Sequence, residues 1–235
     1  MKISTLNKII SKRKTKDSFA LVTYLNTEEE YIVDLNKNIE VNELDKQFIE
    51  KVRELIVNDR STILDSPEGP AFVNIFNAPL RLIIVGAAHI AESLAKIASL
   101  IGYDVFVIEP RTMFLDHKKF IGCTLISKWP DEAIASLGMN TRTAVVTLTH
   151  DPKIDDPALK SCLNTPVFYI GALGSNRTNA ARFERLRNYG FHDDTIKKIH
   201  GPVGLRIGAK SPSEIAVSIM AEITKKLHMK ENYEI

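Results

Sequence analysis

The chain has 235 residues, 44% of them apolar and 26% charged, with 11 glycines and 10 prolines; a collagen-like, low-complexity or wholly disordered chain is excluded. Its 31 basic and 29 acidic side chains leave a net charge of +2, so bulk charge points to no nucleic-acid partner. No apolar run approaches the ~18 residues that span a bilayer, the N-terminus lacks a secretory signal, and two cysteines are too few for a disulfide framework or zinc cluster; the expectation is a cytoplasmic protein without membrane contact.

The first sixteen residues carry six basic side chains and no acidic one, and Ile3, Leu6, Ile9 and Ile10 recur at helical spacing. This predicts an amphipathic, solvated starting helix. Phe19 to Leu25 and Tyr31 to Leu35 read as two strands of a hairpin. Asn42 can cap a following helix whose face carries Leu44, Phe48, Val52, Leu55 and Ile56. Ser61 to Pro70 is rich in turn residues and is predicted to be a loop. Ala71 to Phe76 is extended, and Asn77-Ala78-Pro79 breaks it. That break divides the chain into a small N-terminal α+β domain, 1–78, and a second domain, 79–235.

Beyond Pro79 the pattern alternates. Arg81 to Val85 is a buried strand, followed by a helix with Ile90, Leu94, Ile97 and Ile101 on one stripe and Gly102 at its end. Further strands are predicted at Asp104–Ile108, Thr124–Ile126, Ala144–Leu148 and Val167–Ile170. Helices are predicted at Asp131–Leu137, Asp155–Leu163, Arg177–Tyr189, Asp193–Ile199 and Pro212–Leu227. The last begins with a capping box, Ser211 at the N-cap, Pro212 at N1 and Glu214 at N3. Strands alternating with helices and joined by right-handed crossovers imply an α/β fold, a doubly wound parallel sheet of order 3-2-1-4-5.

Ligands of such sheets bind beyond the carboxyl ends of the strands, where the winding reverses. The turn Gly86-Ala87-Ala88-His89-Ile90-Ala91 sits where a dinucleotide fingerprint sits, with Ala88 and Ala91 in place of two glycines. Glu109 ends the second strand ~20 residues on, the spacing of a ribose-binding carboxylate, and Arg111 could reach a phosphate; a solvated strand end is the plain alternative for Glu109. Thr149-His150-Asp151 follows the fourth strand, so His150 and Asp151 are candidates for proton transfer, with a turn as the alternative for Asp151 and a helix cap for Asp155 or Asp156. The turn Gly171-Ala172-Leu173-Gly174-Ser175-Asn176-Arg177 opens a helix and can hold an anion through backbone donors, Ser175 and Arg177; a simple cap is equally open. A further glycine-rich loop contains Gly201, Gly204 and Gly208 and can close over a ligand.

The series Gly86-Ala87-Ala88-His89, Trp129-Pro130-Asp131-Glu132-Ala133, Thr149-His150-Asp151-Pro152, Tyr169-Ile170-Gly171-Ala172-Leu173-Gly174-Ser175, Gly201-Pro202-Val203-Gly204-Leu205 and Ser211-Pro212-Ser213-Glu214-Ile215-Ala216 resembles the XdhC/CoxI family. The resemblance spans roughly Pro79 to Lys226. It implies a Rossmann-like C-terminal half and an accessory factor that binds the molybdenum cofactor and hands it to the apoenzyme of a molybdenum hydroxylase such as xanthine dehydrogenase. It also implies a homodimer. Ala88 and Asn179 depart from the family's usual glycine and histidine, and the N-terminal half lacks the family's glycine-flanked cysteine.

The reading that follows is a maturation factor for an anionic pterin- or nucleotide-bearing cofactor, rather than a turnover enzyme. Its cofactor contacts would be Gly86, Ala88, His89, Glu109, Arg111, Thr149, Gly171, Gly174, Ser175, Arg177 and Gly204, with His150 and Asp151 facing the reactive end and no metal ligands of its own. The alternatives are an NAD(P)-linked oxidoreductase and a non-catalytic nucleotide sensor.

Overall fold

Apolar residues occupy both faces of Phe19–Tyr24 (β1): Ala20, Val22 and Tyr24 point one way, Phe19 and Leu21 the other, and all five are buried. That pattern demands cover on both sides. In the computed structural model, which describes residues 2–15, 17–35 and 45–228, helices supply it. Helix α1 (Ile3–Lys14) sets Ile9 against Phe19 and Leu21, while α2 (Lys46–Val57) sets Phe48, Ile49, Val52 and Ile56 against the opposite face. The sheet between them is antiparallel and completed by β2 (Glu30–Asp34), β3 (Thr62–Ser66) and β4 (Gly69–Phe76), in the order β2-β1-β4-β3. Phe19 and Phe76 stack at 5.0 Å between ring centres.

Two expectations need correction here. The stretch Ser61 to Pro70 is not a loop but β3 and the start of β4, joined by a tight turn in which Ser66 Oγ donates to the Gly69 carbonyl at 2.9 Å. Its turn residues occupy the reversal, and β3 is an edge strand whose half-exposed faces tolerate polar side chains. The second helix is capped by Asp45, whose carboxylate accepts from the Phe48 amide at 3.1 Å. Asn42 and Leu44 lie outside the described residues.

The chain divides into two compact units, residues 1–78 and 79–235. The second is an all-parallel sheet of six strands: β5 (Arg81–Val85), β6 (Asp104–Ile108), β7 (Thr124–Ile126), β8 (Thr143–Thr147), β9 (Tyr169–Ala172) and β10 (Ile199–His200). Their order is β10-β9-β8-β5-β6-β7. One face, with Leu82, Ile84, Val107 and Val146, is covered by α3 (His89–Leu100) and α8 (Pro212–His228). The other, with Ile83, Val85, Val145 and Ile170, packs under α4 (Pro130–Leu137), α5 (Pro152–Leu163) and α6 (Asn176–Asn188). Cys162 belongs to this second core, and burial pushes its thiol up to about 12. The sheet is doubly wound, as its alternation of elements requires.

The helix expected over Asp193–Ile199 is shorter than its pattern suggests. Helix α7 is only Asp193–Ile196, and Ile199 belongs to β10, a two-residue strand too short to register as a period. Helix α5 starts earlier than expected, at Pro152 under an Asp151 cap, and carries Pro157 inside it. Helix α8 begins with the expected box: Glu214 Oε2 accepts from the Ser211 amide at 2.8 Å, and Ser211 Oγ accepts from the Glu214 amide at 3.3 Å. No helix among the described residues is long and apolar enough to cross a membrane.

Candidate functional site

Parallel pairing continues past the strand ends, and this decides where the turns emerge. The Gly86 amide donates to the Ile108 carbonyl and the Leu148 amide to the Val85 carbonyl, each at 2.8 Å. The Leu173 amide donates to the Thr147 carbonyl at 2.9 Å, and the Val203 amide to that of Ala172 at 3.2 Å. The turns after β5, β8, β9 and β10 therefore leave the carboxyl edge of the sheet side by side. The winding reverses between β5 and β8.

Gly86 has a φ of +104°, and a Cβ there would collide with the Thr149 methyl group on the neighbouring turn. Only glycine meets both conditions. Ala88 takes the N-cap position of α3 with extended backbone and no side-chain cap, and it and His89 are exposed. The amides that open α3 thus face the edge without a side-chain cap, and carry the partial positive charge of a helix start.

Glu109 lies at the end of β6 and is 1% exposed. Its oxygens accept from the Arg111 Nε at 2.8 Å, the Arg111 Nη2 at 3.0 Å, the Arg111 amide at 3.1 Å and the Ala87 amide at 3.2 Å. Burial alone would raise this carboxyl; the hydrogen bonds from Arg111 and Ala87 outweigh it and hold the group below the usual carboxylate range. The solvated strand end considered for it is excluded. Glu109 instead braces the first turn, and Arg111 stacks its guanidinium 4.7 Å from the Phe114 ring centre.

Asp151 is the N-cap of α5, with Oδ1 accepting from the Lys153 amide at 2.9 Å. One oxygen of its carboxylate is thus engaged as a helix cap. His150 is exposed and has no hydrogen-bond partner among the described residues. Ser175 caps α6, its Oγ accepting from the Thr178 amide at 3.1 Å, and Arg177 is exposed beside it. Gly174 has positive φ, and its carbonyl accepts from Asn179 Nδ2 at 3.0 Å.

Gly171 and Gly204 meet close neighbours inside the fold, which account for the absence of a side chain at each. Gly171 lies within β9, where a Cβ would come within 2.6 Å of a Val203 methyl and 2.9 Å of the Tyr169 ring. A Cβ on Gly204 would collide with Ser218 Oγ, and its amide already donates to Glu222 Oε2 at 2.8 Å. The same Glu222 accepts from Tyr169 Oη at 2.5 Å and meets His200 Nδ1 at 3.3 Å, which pins the loop after β10 to α8.

Beneath the rim lies a buried polar chain that spacing does not reveal. Thr149 Oγ1 donates to Asp155 Oδ1 at 2.6 Å and accepts from the Asp151 amide at 3.1 Å. Arg182 Nη2 donates to Asp155 Oδ2 and to the Leu173 carbonyl, both at 3.0 Å, and Arg182 Nη1 donates to Asn179 Oδ1. Asn179 Nδ2 reaches the Ser175 carbonyl at 3.2 Å as well as Gly174. From its sequence position Asp155 is only a candidate helix cap; the signal available was a carboxylate and an arginine inside apolar helical stripes, where buried charges occur only in pairs. Among the described residues no group of three or more His, Cys, Asp or Glu side chains is placed to hold a metal.

Comparison with known proteins agrees with this architecture. Residues 82–223 match the family model described as the XdhC Rossmann domain. The chain is 30% identical over 158 residues to the molybdenum cofactor insertion chaperone PaoD of Escherichia coli, covering 67% of this chain and 43% of that protein. It is 33% identical over 153 residues to a Bacillus subtilis protein named as a probable component of xanthine dehydrogenase, covering 65% of this chain and 44% of that one. An uncharacterized Escherichia coli protein, YqeB, is 30% identical over 161 residues, 68% of this chain and 29% of its own length. The chain thus spans less than half the length of these curated relatives. A crystal structure titled a xanthine dehydrogenase from Bacillus halodurans shares the fold, with a TM-score of 0.70 at 21% identity over 99% of this chain and 66% of that one. With the order of its six strands, its carboxyl-edge turns and the match over residues 82–223, the chain belongs to the XdhC family.

Proposed function

We propose that the protein binds the molybdenum cofactor, or a related pterin or nucleotide anion, at the carboxyl edge of the parallel sheet and delivers it to the apoenzyme of a xanthine dehydrogenase-type hydroxylase. The observation that carries this reading is the convergence of turns 86–89, 149–151 and 173–177 on one edge, each of them opening a helix, in a relative of a molybdenum cofactor insertion chaperone. Helix starts favour anions through their free amides. The open start of α3, Ser175 with the start of α6, and the exposed cations Arg111 and Arg177 form a donor set suited to a phosphate-bearing ligand. Thiolate ligation of the metal has no support at this edge: Cys162, near the end of α5, is buried in the core, and Cys123 follows the Ile121 turn with its thiol raised by burial. These donors would hold the cofactor by its anionic end, with His150 exposed on the middle turn beside them.

NAD(P) is the second reading, favoured by Glu109 at the end of β6. Ribose hydroxyls would have to compete there with Arg111 and the Ala87 amide. Mass spectrometry of small molecules released from the purified native protein separates the two. A molybdopterin species is the expected finding; NAD(P) alone would overturn the proposal. Dimerisation is part of the same proposal and is read from sedimentation of the purified chain.

A further inference from the structure

Two ion pairs join α5 to α6, and they differ in what else they touch. Asp156 and Arg185 form a bidentate pair at 2.6 and 3.0 Å on the more exposed side, and in the described residues this pair bridges helix to helix only. Asp155 and Arg182, 1% and 2% exposed, bridge helices and also hold the rim. Asp155 takes the Thr149 hydroxyl of the turn after β8; Arg182 takes the Leu173 carbonyl of the turn after β9; and Asn179, bonded to Arg182, takes the carbonyls of Gly174 and Ser175. Asn179 Oδ1 also fills the space a Cβ on Gly201 would need in the loop after β10.

Burying such charges is costly, and apolar side chains of similar volume would pack two helices at least as well. What apolar packing cannot do is fix the direction and spacing of carbonyls and hydroxyls in separate turns. We propose that Asp155 and Arg182 are positioning residues that lock the turn after β8 to the turn after β9, so that both present their donors to one anionic ligand at a set separation. The inference rests on the reading of this rim as an anion site.

The lock has a titratable member. Burial pushes the Asp155 carboxyl up to about 6, against the opposing pull of Thr149 and Arg182, with Asp156 adding to the rise. The charged groups around it are Arg182 and Arg185 on α6 and Asp156 on α5 itself. Helix α4 carries only the exposed Asp131 and Glu132, β8 and β9 carry no acidic or basic side chain, and Arg81 of β5 binds carbonyls at the opposite end of its strand. Above about pH 6 the ionised carboxylate holds both Thr149 and Arg182; below it the link weakens.

The test uses the full chain with inorganic pyrophosphate as probe, and follows the amide resonances of Thr149, Asp151, Gly174 and Ser175. In the wild type, pyrophosphate shifts both turns with one dissociation constant, and acidification from pH 8 to 5 moves both with a common midpoint. Asp155→Asn is expected to abolish the common midpoint and weaken pyrophosphate about tenfold. Asp156→Asn, which loosens the same two helices, leaves both properties within twofold. Thr149→Val keeps the buried pair and cuts its link to the turn after β8, so it reproduces the uncoupling even where Asp155→Asn does not fold. Equal behaviour of Asp155→Asn and Asp156→Asn, or separate midpoints for the two turns in the wild type, would overturn the inference. A wild type that binds no pyrophosphate counts against the anion site instead, and the pH titration alone then decides the lock.

Discussion

Gly86 illustrates how one residue constrains the edge. It combines a left-handed backbone with a space already taken by the Thr149 methyl group. Gly86→Ala is expected to cost about 2 kcal/mol or more in urea denaturation, because strain and collision act together. Glu109 is governed by its partners in another way. Its carboxyl is held low in the folded chain, so its stabilising contribution is present above the unfolded value and is lost as pH falls through the folded one. Arg111→Ala removes the strongest of those partners from a buried carboxylate, while the half-exposed arginine itself moderates the loss. The expected outcome is a loss of about 1–2 kcal/mol at pH 7 and an acid-unfolding midpoint shifted to higher pH, read by circular dichroism.

At the scale of elements, helix ends carry much of the argument. Ser211 and Glu214 are legible as a cap from their spacing, since each partner lies within one turn of the other. Ser211→Ala is expected to destabilise the chain by about 1 kcal/mol, measured by chemical denaturation. Asp151 and Ser175 stay open between local turn or cap and site in the sequence, because these roles use the same oxygen and nothing nearby says which amide lies opposite. The structure gives both oxygens to helix starts. Strand β10 escapes the sequence and β3 reads as loop for related reasons. A two-residue strand has no period, and an edge strand beside a tight turn shares the composition of a loop.

For the molecule as a whole, each unit encloses its own apolar core, one between α1, α2 and the antiparallel sheet and the other on both faces of the parallel sheet. A chain of residues 79–235 is therefore expected to fold by itself and to unfold in a single cooperative transition by calorimetry. Apolar runs, helical stripes and glycine or proline punctuation are local signals, so the sequence by itself determined that strands and helices alternate after Pro79 and wind a parallel sheet in both directions. The sharing of one edge by the turns after β5, β8 and β9 follows from that winding. Only the tertiary structure decided which polar groups meet there. Glu109 with Ala87 and Arg111, Thr149 with Asp155, and Arg182 with Leu173 and Asn179 join groups whose pairing no spacing specified. Their bonds exist because packing removes them from water together, and desolvation is a property of the assembled layers that no single segment carries.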